Sequence, residues 1–150
     1  MAATRTIIIA GAGIGGLTAA LMLARSGFRV AVLERARELS EVGAGIQLSP
    51  NALRPLYELG LGPALEAAAV RPERIEIRKA SNARLLATIP LADEIERRHG
   101  APYLVIHRAD LQRILYEAAC EDPDIRVELG VSFIDAVSHA NGITVTADRD

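Results

Sequence analysis

Cysteine is nearly missing from this sequence: Cys120 stands alone, which excludes an internal disulfide framework and a cysteine zinc site. Lysine is as scarce, with Lys79 the one example and the other 16 of the 17 basic residues arginine. That skew, beside the abundance of alanine, matches genome base composition better than a function. An excess of either sign is absent too, since 17 basic residues face 19 acidic ones for a net charge of −2. No basic stripe stands out, so nucleic acid is not an expected partner. His99, His107 and His139 have no metal-ligand spacing with one another or with Cys120. H-E-x-x-H, G-x-S-x-G and P-loop patterns are all absent, so no metal site is expected.

A long apolar span is lacking as well, although Thr6 to Ala24 imitates one. Those 19 residues carry no charge and lie between Arg5 and Arg25. Gly11, Gly13, Gly15 and Gly16 in their middle argue against a membrane helix or a signal peptide. What remains is a chain of 150 residues, half hydrophobic and 24% charged. That is the size of one domain and outside the composition range of disordered chains. It reads as a soluble, cytoplasmic-type protein without membrane association.

Thr6-Ile7-Ile8-Ile9-Ala10 predicts a fully buried strand ended by the glycine cluster. Leu17, Ala20, Leu21 and Ala24 recur at helical spacing and Gly27 marks the stop. Arg29 to Leu33 predicts a second buried strand ending at Glu34. Strand, glycine turn, helix and strand within about thirty residues form a βαβ unit with parallel strands. Residues 35 to 48 read as an irregular loop. Ser49-Pro50 reads as an N-cap and first helical residue, with a helix to Leu59 and a shorter one from Gly62.

Arg74 to Arg78 alternates with period two, which predicts one buried and one wet face. Leu85 to Ile89 is its expected hairpin partner across Ser81-Asn82. Glu94, Glu96, Arg97 and Arg98 read as a solvated charge run. Tyr103 to Ile106 is a short apolar run, and Asp110 to Ala119 has helical periodicity. Ile125 to Leu129, Val131 to Val137 and Ile143 to Thr146 predict strands, the last two joined at Asn141-Gly142.

Gly11-Ala12-Gly13-Ile14-Gly15-Gly16 fits G-x-G-x-x-G. Gly11 allows the tight turn, Gly13 lets the backbone approach a pyrophosphate, and Gly16 lets helix and strand pack closely. The following helix start directs free N–H groups and its positive dipole end at the phosphates. An acid, Glu34, follows 18 residues after Gly16 at the end of the second strand. A carboxylate there suits both ribose hydroxyls and repels a 2′-phosphate, which favours FAD or NAD over NADP as the bound nucleotide.

The chain resembles the flavoprotein aromatic-ring hydroxylases, the single-component FAD monooxygenases that include salicylate hydroxylase and 3-hydroxybenzoate 6-hydroxylase. Three segments carry the resemblance. Ile7 to Leu17 with Glu34-Arg35 is similar to the family's FAD fingerprint. Val42-Gly43-Ala44-Gly45-Ile46-Gln47-Leu48-Ser49-Pro50-Asn51-Ala52, followed by Leu59-Gly60-Leu61, is the more specific signature and separates the family from NAD dehydrogenases. His107-Arg108-Ala109-Asp110-Leu111 with Leu115 is similar to a third element, whose Arg reaches the flavin.

The resemblance implies an α/β, Rossmann-like FAD-binding domain over residues 1–150, with a parallel βαβ core. It also implies the start of an antiparallel β substrate region, to which about 70–100 would belong. FAD is the implied cofactor, held by Gly11, Gly13, Ile14, Gly15, Gly16, Glu34, Arg35, Gly45, Gln47 and Arg108. Arg108 also has a rationale of its own, since its planar donor fork suits phosphate and it lies between a strand and a helix. Gln47 cannot take a proton at neutral pH and could only hydrogen-bond the ring or substrate.

By the same resemblance, NADH or NADPH reduces the flavin, and molecular oxygen is then used to hydroxylate a small aromatic such as a hydroxybenzoate or salicylate. The implied role of the protein is to position the flavin and exclude water. No catalytic side chain is assigned, and a homodimer is compatible. The family's later Asp-Gly and Gly-Asp motifs do not occur, so the chain is expected to be an N-terminal portion, not competent alone. Two other readings stay open: an FAD-dependent dehydrogenase or reductase, and a truncated, non-catalytic FAD-binding module.

Overall fold

The computed structural model describes residues 6–39 and 44–149. Val42 and Gly43 of the second signature and the terminal Asp150 lie outside them. The chain divides into two compact units, one built from the described residues of 1–41 and 112–150, the other from those of 42–111.

In the first unit the β-branched run forms β1 (Thr6–Ala10), the glycine turn opens α1 (Ile14–Arg25), and β2 (Arg29–Glu34) returns alongside. The strands pair parallel, Thr6 opposite Arg29 and Ala10 opposite Leu33, as the βαβ pattern predicts. A third parallel strand, β7 (Ile125–Leu129), pairs with the other edge of β2 in the order β1-β2-β7. The helical spacing in α1 turns Leu17, Ala20, Leu21 and Ala24 inward, and all four are buried. On β2, Val30 and Val32 are buried on one face and Leu33 on the other, whereas β1, expected to be fully buried, leaves Ile8 40% exposed. Each fully buried aliphatic side chain contributes roughly 1.5–3 kcal/mol. The uncharged run from Thr6 to Ala24 is thus a strand plus a helix, and no described helix is long and apolar enough to cross a membrane. The unit ends in the expected antiparallel hairpin, β8 (Val131–His139) and β9 (Gly142–Arg149), but it turns at Ala140-Asn141, one residue before the expected Asn141-Gly142, because Gly142 already pairs with His139.

The second unit corrects several expectations. Residues 45–48 are not irregular loop but β3 (Gly45–Leu48), antiparallel to β6 (Leu104–His107). Four residues are too few to show a period, and the partner strand lies far along the chain. Pro50–Glu58 (α2) and Gly62–Ala68 (α3) follow, with Pro50 at the first helical position. Ser49 is the N-cap residue, but its hydroxyl bonds Asn51 and makes no side-chain cap. Leu48, Leu53, Leu56, Leu65, Leu104 and Ile106 are buried.

β4 (Arg74–Arg78) and β5 (Leu85–Pro90) form the expected hairpin. The expectation of one buried face is wrong, because Ile75, Ile77, Leu85 and Ile89 are all exposed. Alternation sets which side chains share a face, and within this two-stranded sheet nothing covers the apolar one. The charge run at 94–98 lies on a helix the sequence reading did not assign, α4 (Ala92–His99), which buries no residue. Helix α5 (Arg108–Glu121) starts two residues before the predicted Asp110, directly after β6.

Candidate functional site

The glycine turn leaves β1 with Gly11 at φ +106°, a conformation that a side chain strongly disfavours. Its N–H donates to the Leu33 carbonyl at 2.7 Å, which ties the turn to the end of β2. A β carbon on Gly16 would stand 2.0 Å from the Gly11 carbonyl oxygen, so helix and turn meet where only glycine fits. Gly13 and Gly15 are the opposite case, with nothing within 4 Å of an added β carbon. The turn is closed on its inner side and bare on its outer side.

Gly13 is the N-cap of α1 and provides no side-chain cap, and the helix has no acid in its first turn. The first N–H groups of a helix have no intrahelical acceptor. Here no side chain of the helix start offsets their partial positive charge.

Glu34 occupies the end of β2, level with Leu129 at the end of β7. Its Oε2 accepts the Ala12 N–H at 2.7 Å and its Oε1 accepts the Ala36 N–H at 2.8 Å. The carboxylate therefore anchors the turn, and each oxygen keeps a second lone pair for a hydroxyl donor. Beside it lies a cleft of about 240 Å³, with Gly11, Glu34 and Arg35 on one side and Val131, Ser132 and Phe133 on the other. Arg35 is exposed at its rim.

Sequence reasoning missed that second wall, as well as Gln112, whose amide nitrogen donates to the Ala12 carbonyl at 3.0 Å. The register of β2 against β7 brings residues 131–133 to Glu34, aided by the Gly130 N–H donating to the Ala36 carbonyl at 3.0 Å. No signal in the linear sequence marks such a pairing.

Gly45, Gln47 and Arg108 belong to the second unit. Gly45 pairs with His107 and Gln47 with Val105, so these four positions share one face of the β3-β6 ribbon. Ile46, Leu48, Leu104 and Ile106 take the other face. Gln47 is exposed. Arg108 is the exposed first residue of α5, and its backbone N–H donates to the Ala44 carbonyl at 3.3 Å. The structure thus groups the ten predicted residues in two sets: seven around the turn and Glu34, three on this ribbon and the helix start. Among the described residues no cluster of three or more His, Cys, Asp or Glu could hold a metal.

The donor set of the first unit fits a dinucleotide cofactor. Uncapped helical N–H groups and a bare Gly13 suit a pyrophosphate, and a carboxylate with spare lone pairs suits a ribose diol.

Comparison with known proteins agrees with that chemistry. Residues 4–149 match the family described as FAD binding domain. The chain is 44% identical over 129 residues to 3-hydroxybenzoate 6-hydroxylase 1 of Aquipseudomonas alcaligenes, covering 86% of this chain and 33% of that protein. It is 48% identical over 124 residues to 3-amino-4-hydroxybenzoate 2-monooxygenase of Streptomyces cremeus, covering 83% of this chain and 31% of that one. A crystal structure of Klebsiella pneumoniae HpxO complexed with FAD and uric acid superposes with a TM-score of 0.82 at 27% identity. That match covers 96% of this chain and 36% of the other. The chain therefore spans about a third of the length of the curated relatives it matches.

Proposed function

Because this chain belongs to the FAD-binding domain family, we propose that it binds FAD through the glycine turn and Glu34 and forms the cofactor-binding part of an aromatic hydroxylase. The observation that carries the reading is the pairing of an uncapped, glycine-lined helix start with a carboxylate anchored on the same turn. Gly11, Gly13, Ile14, Gly15 and Gly16 would line the pyrophosphate, Glu34 would accept the ribose hydroxyls, and Arg35 would lie at the adenosine end. Gly45, Gln47 and Arg108 are proposed to meet the flavin side, with Arg108 supplying a cation and Gln47 a neutral hydrogen-bonding group. Residues 70–100 would belong to a β substrate region.

The flavin, when bound, would supply the electron transfer and oxygen chemistry, with NADH or NADPH as reductant. The residues of this chain bind it, orient it and keep water from it. The substrate class we propose is a small, electron-rich hydroxylated aromatic acid, in keeping with the names of the relatives.

The test measures flavin absorbance retained after gel filtration of the wild type, Gly13→Leu and Glu34→Arg. The wild type should retain flavin and both variants should lose it. Equal retention by all three would remove the turn and Glu34 from the site.

A further inference from the structure

Gln112 is the one buried polar residue among the described residues, 6% exposed and flanked on α5 by buried Leu111, Ile114 and Leu115. Burying a primary amide costs free energy unless its hydrogen bonds are made. A leucine or methionine would fill similar space without that cost, so the effect of the amide lies in what it does to its acceptor. That acceptor is the Ala12 carbonyl, 100 positions away in the sequence.

The Ala12 carbonyl and the Gly13 N–H belong to one planar trans peptide and point in opposite directions. Holding the carbonyl on a buried amide therefore turns the Gly13 N–H the other way, toward the bare side of the turn. Ala12 is gripped a second time, because its own N–H donates to Glu34 Oε2 at 2.7 Å. The neighbours on either side, Gly11 and Gly13, have no β carbon to resist rotation of the peptides between them. If the Ala12–Gly13 peptide turned over, it would present a carbonyl oxygen where an anion needs a donor.

We propose that Gln112 is a positioning residue for the pyrophosphate: it orients the Ala12–Gly13 peptide so that the Gly13 N–H faces the cofactor's phosphates. The inference rests on the FAD reading of the turn. Gln112 acts through this peptide and need not touch the cofactor.

The test titrates the chain with FAD, ADP and adenosine, following the Gly13 amide by proton–nitrogen NMR, in wild type, Gln112→Met and Gln112→Glu. Gln112→Met should weaken FAD and ADP about tenfold, the worth of one such hydrogen bond, and leave adenosine within about twofold. The Gly13 amide shift caused by ADP should disappear in that variant. Gln112→Glu keeps the shape of the side chain and, while protonated, its donor, so at low pH it serves even where Gln112→Met does not fold. A carboxyl donates to the carbonyl only while protonated, so this variant should approach wild-type ADP affinity at low pH and lose it as pH rises. Unchanged ADP affinity in Gln112→Met, or equal losses for ADP and adenosine in a folded variant, would overturn the proposal. A wild type that binds neither FAD nor ADP would instead overturn the FAD reading, and the role of Gln112 with it.

Discussion

The carbonyl oxygen of Gly11 occupies the place that a side chain on Gly16 would need, 2.0 Å from its β carbon. The obstacle is backbone, so it cannot swing aside. Gly16→Ala should destabilise the fold by about 1–3 kcal/mol, the usual range for overpacking. Gly13→Ala meets open space at an ordinary φ of −71° and should cost under about 1 kcal/mol. Urea denaturation of the two variants measures the difference.

Glu34→Gln tests the anchoring role of the carboxylate. Both carboxylate oxygens accept backbone N–H groups, from Ala12 and Ala36, and an amide can replace only one of them. The other position becomes an NH₂ facing an N–H. A loss of about 1–3 kcal/mol in stability without ligand is expected from the unsatisfied donor. A denaturation midpoint equal to that of the wild type would show that the turn does not depend on this carboxylate.

For Arg108 the expected effect is on affinity. A charge-assisted hydrogen bond is worth roughly 1.5–3 kcal/mol, so Arg108→Ala should weaken FAD binding about tenfold to a hundredfold in the full-length protein. Arg108→Lys should recover part of it, since an ammonium lacks the planar fork. Titration of apo-protein with FAD reads both variants, and an unchanged Kd for Arg108→Ala would place this arginine outside the cofactor site.

Glu76 gives a pH dependence that has nothing to do with cofactor. Hydrogen bonds from Arg74 and then Arg78 hold its carboxyl below the usual range. A carboxyl whose pKa is lower folded than unfolded stabilises the fold above the ordinary glutamate range and loses that contribution as pH falls through the lowered value. Carbon NMR of the Glu76 carboxyl should show the depressed midpoint, and Arg74→Ala should move it back up.

The βαβ unit could be read from the sequence because every determinant is local: an isoleucine run, a glycine cluster, a leucine period and a strand ending in an acid. Glu34 was legible as an acid at the right distance, but not as an anchor, because Ala12 and Ala36 contribute only peptide groups that every residue has. β3 was hidden because its partner strand begins at Leu104. Gln112 was hidden more deeply. Between Leu111 and Arg113 it looks like any polar residue on an amphipathic helix, and only the tertiary fold turns it inward. In β4 the sequence specified alternation correctly and could not specify whether anything covers Ile75 and Ile77.

The sheet order β1-β2-β7 also has a consequence for synthesis. β2 has its first neighbour when it emerges from the ribosome, whereas Ile125, the partner of Val30, comes 95 positions later. At about 5–20 residues per second that wait is roughly 5–20 s. Throughout it, Arg29–Glu34 presents an open edge of apolar strand, the kind of template on which chains mispair. Closing a loop of that length costs about 4 kcal/mol beyond the constant term. Slow translation between residues 35 and 125 would therefore lengthen the time for which that edge of β2 stays open.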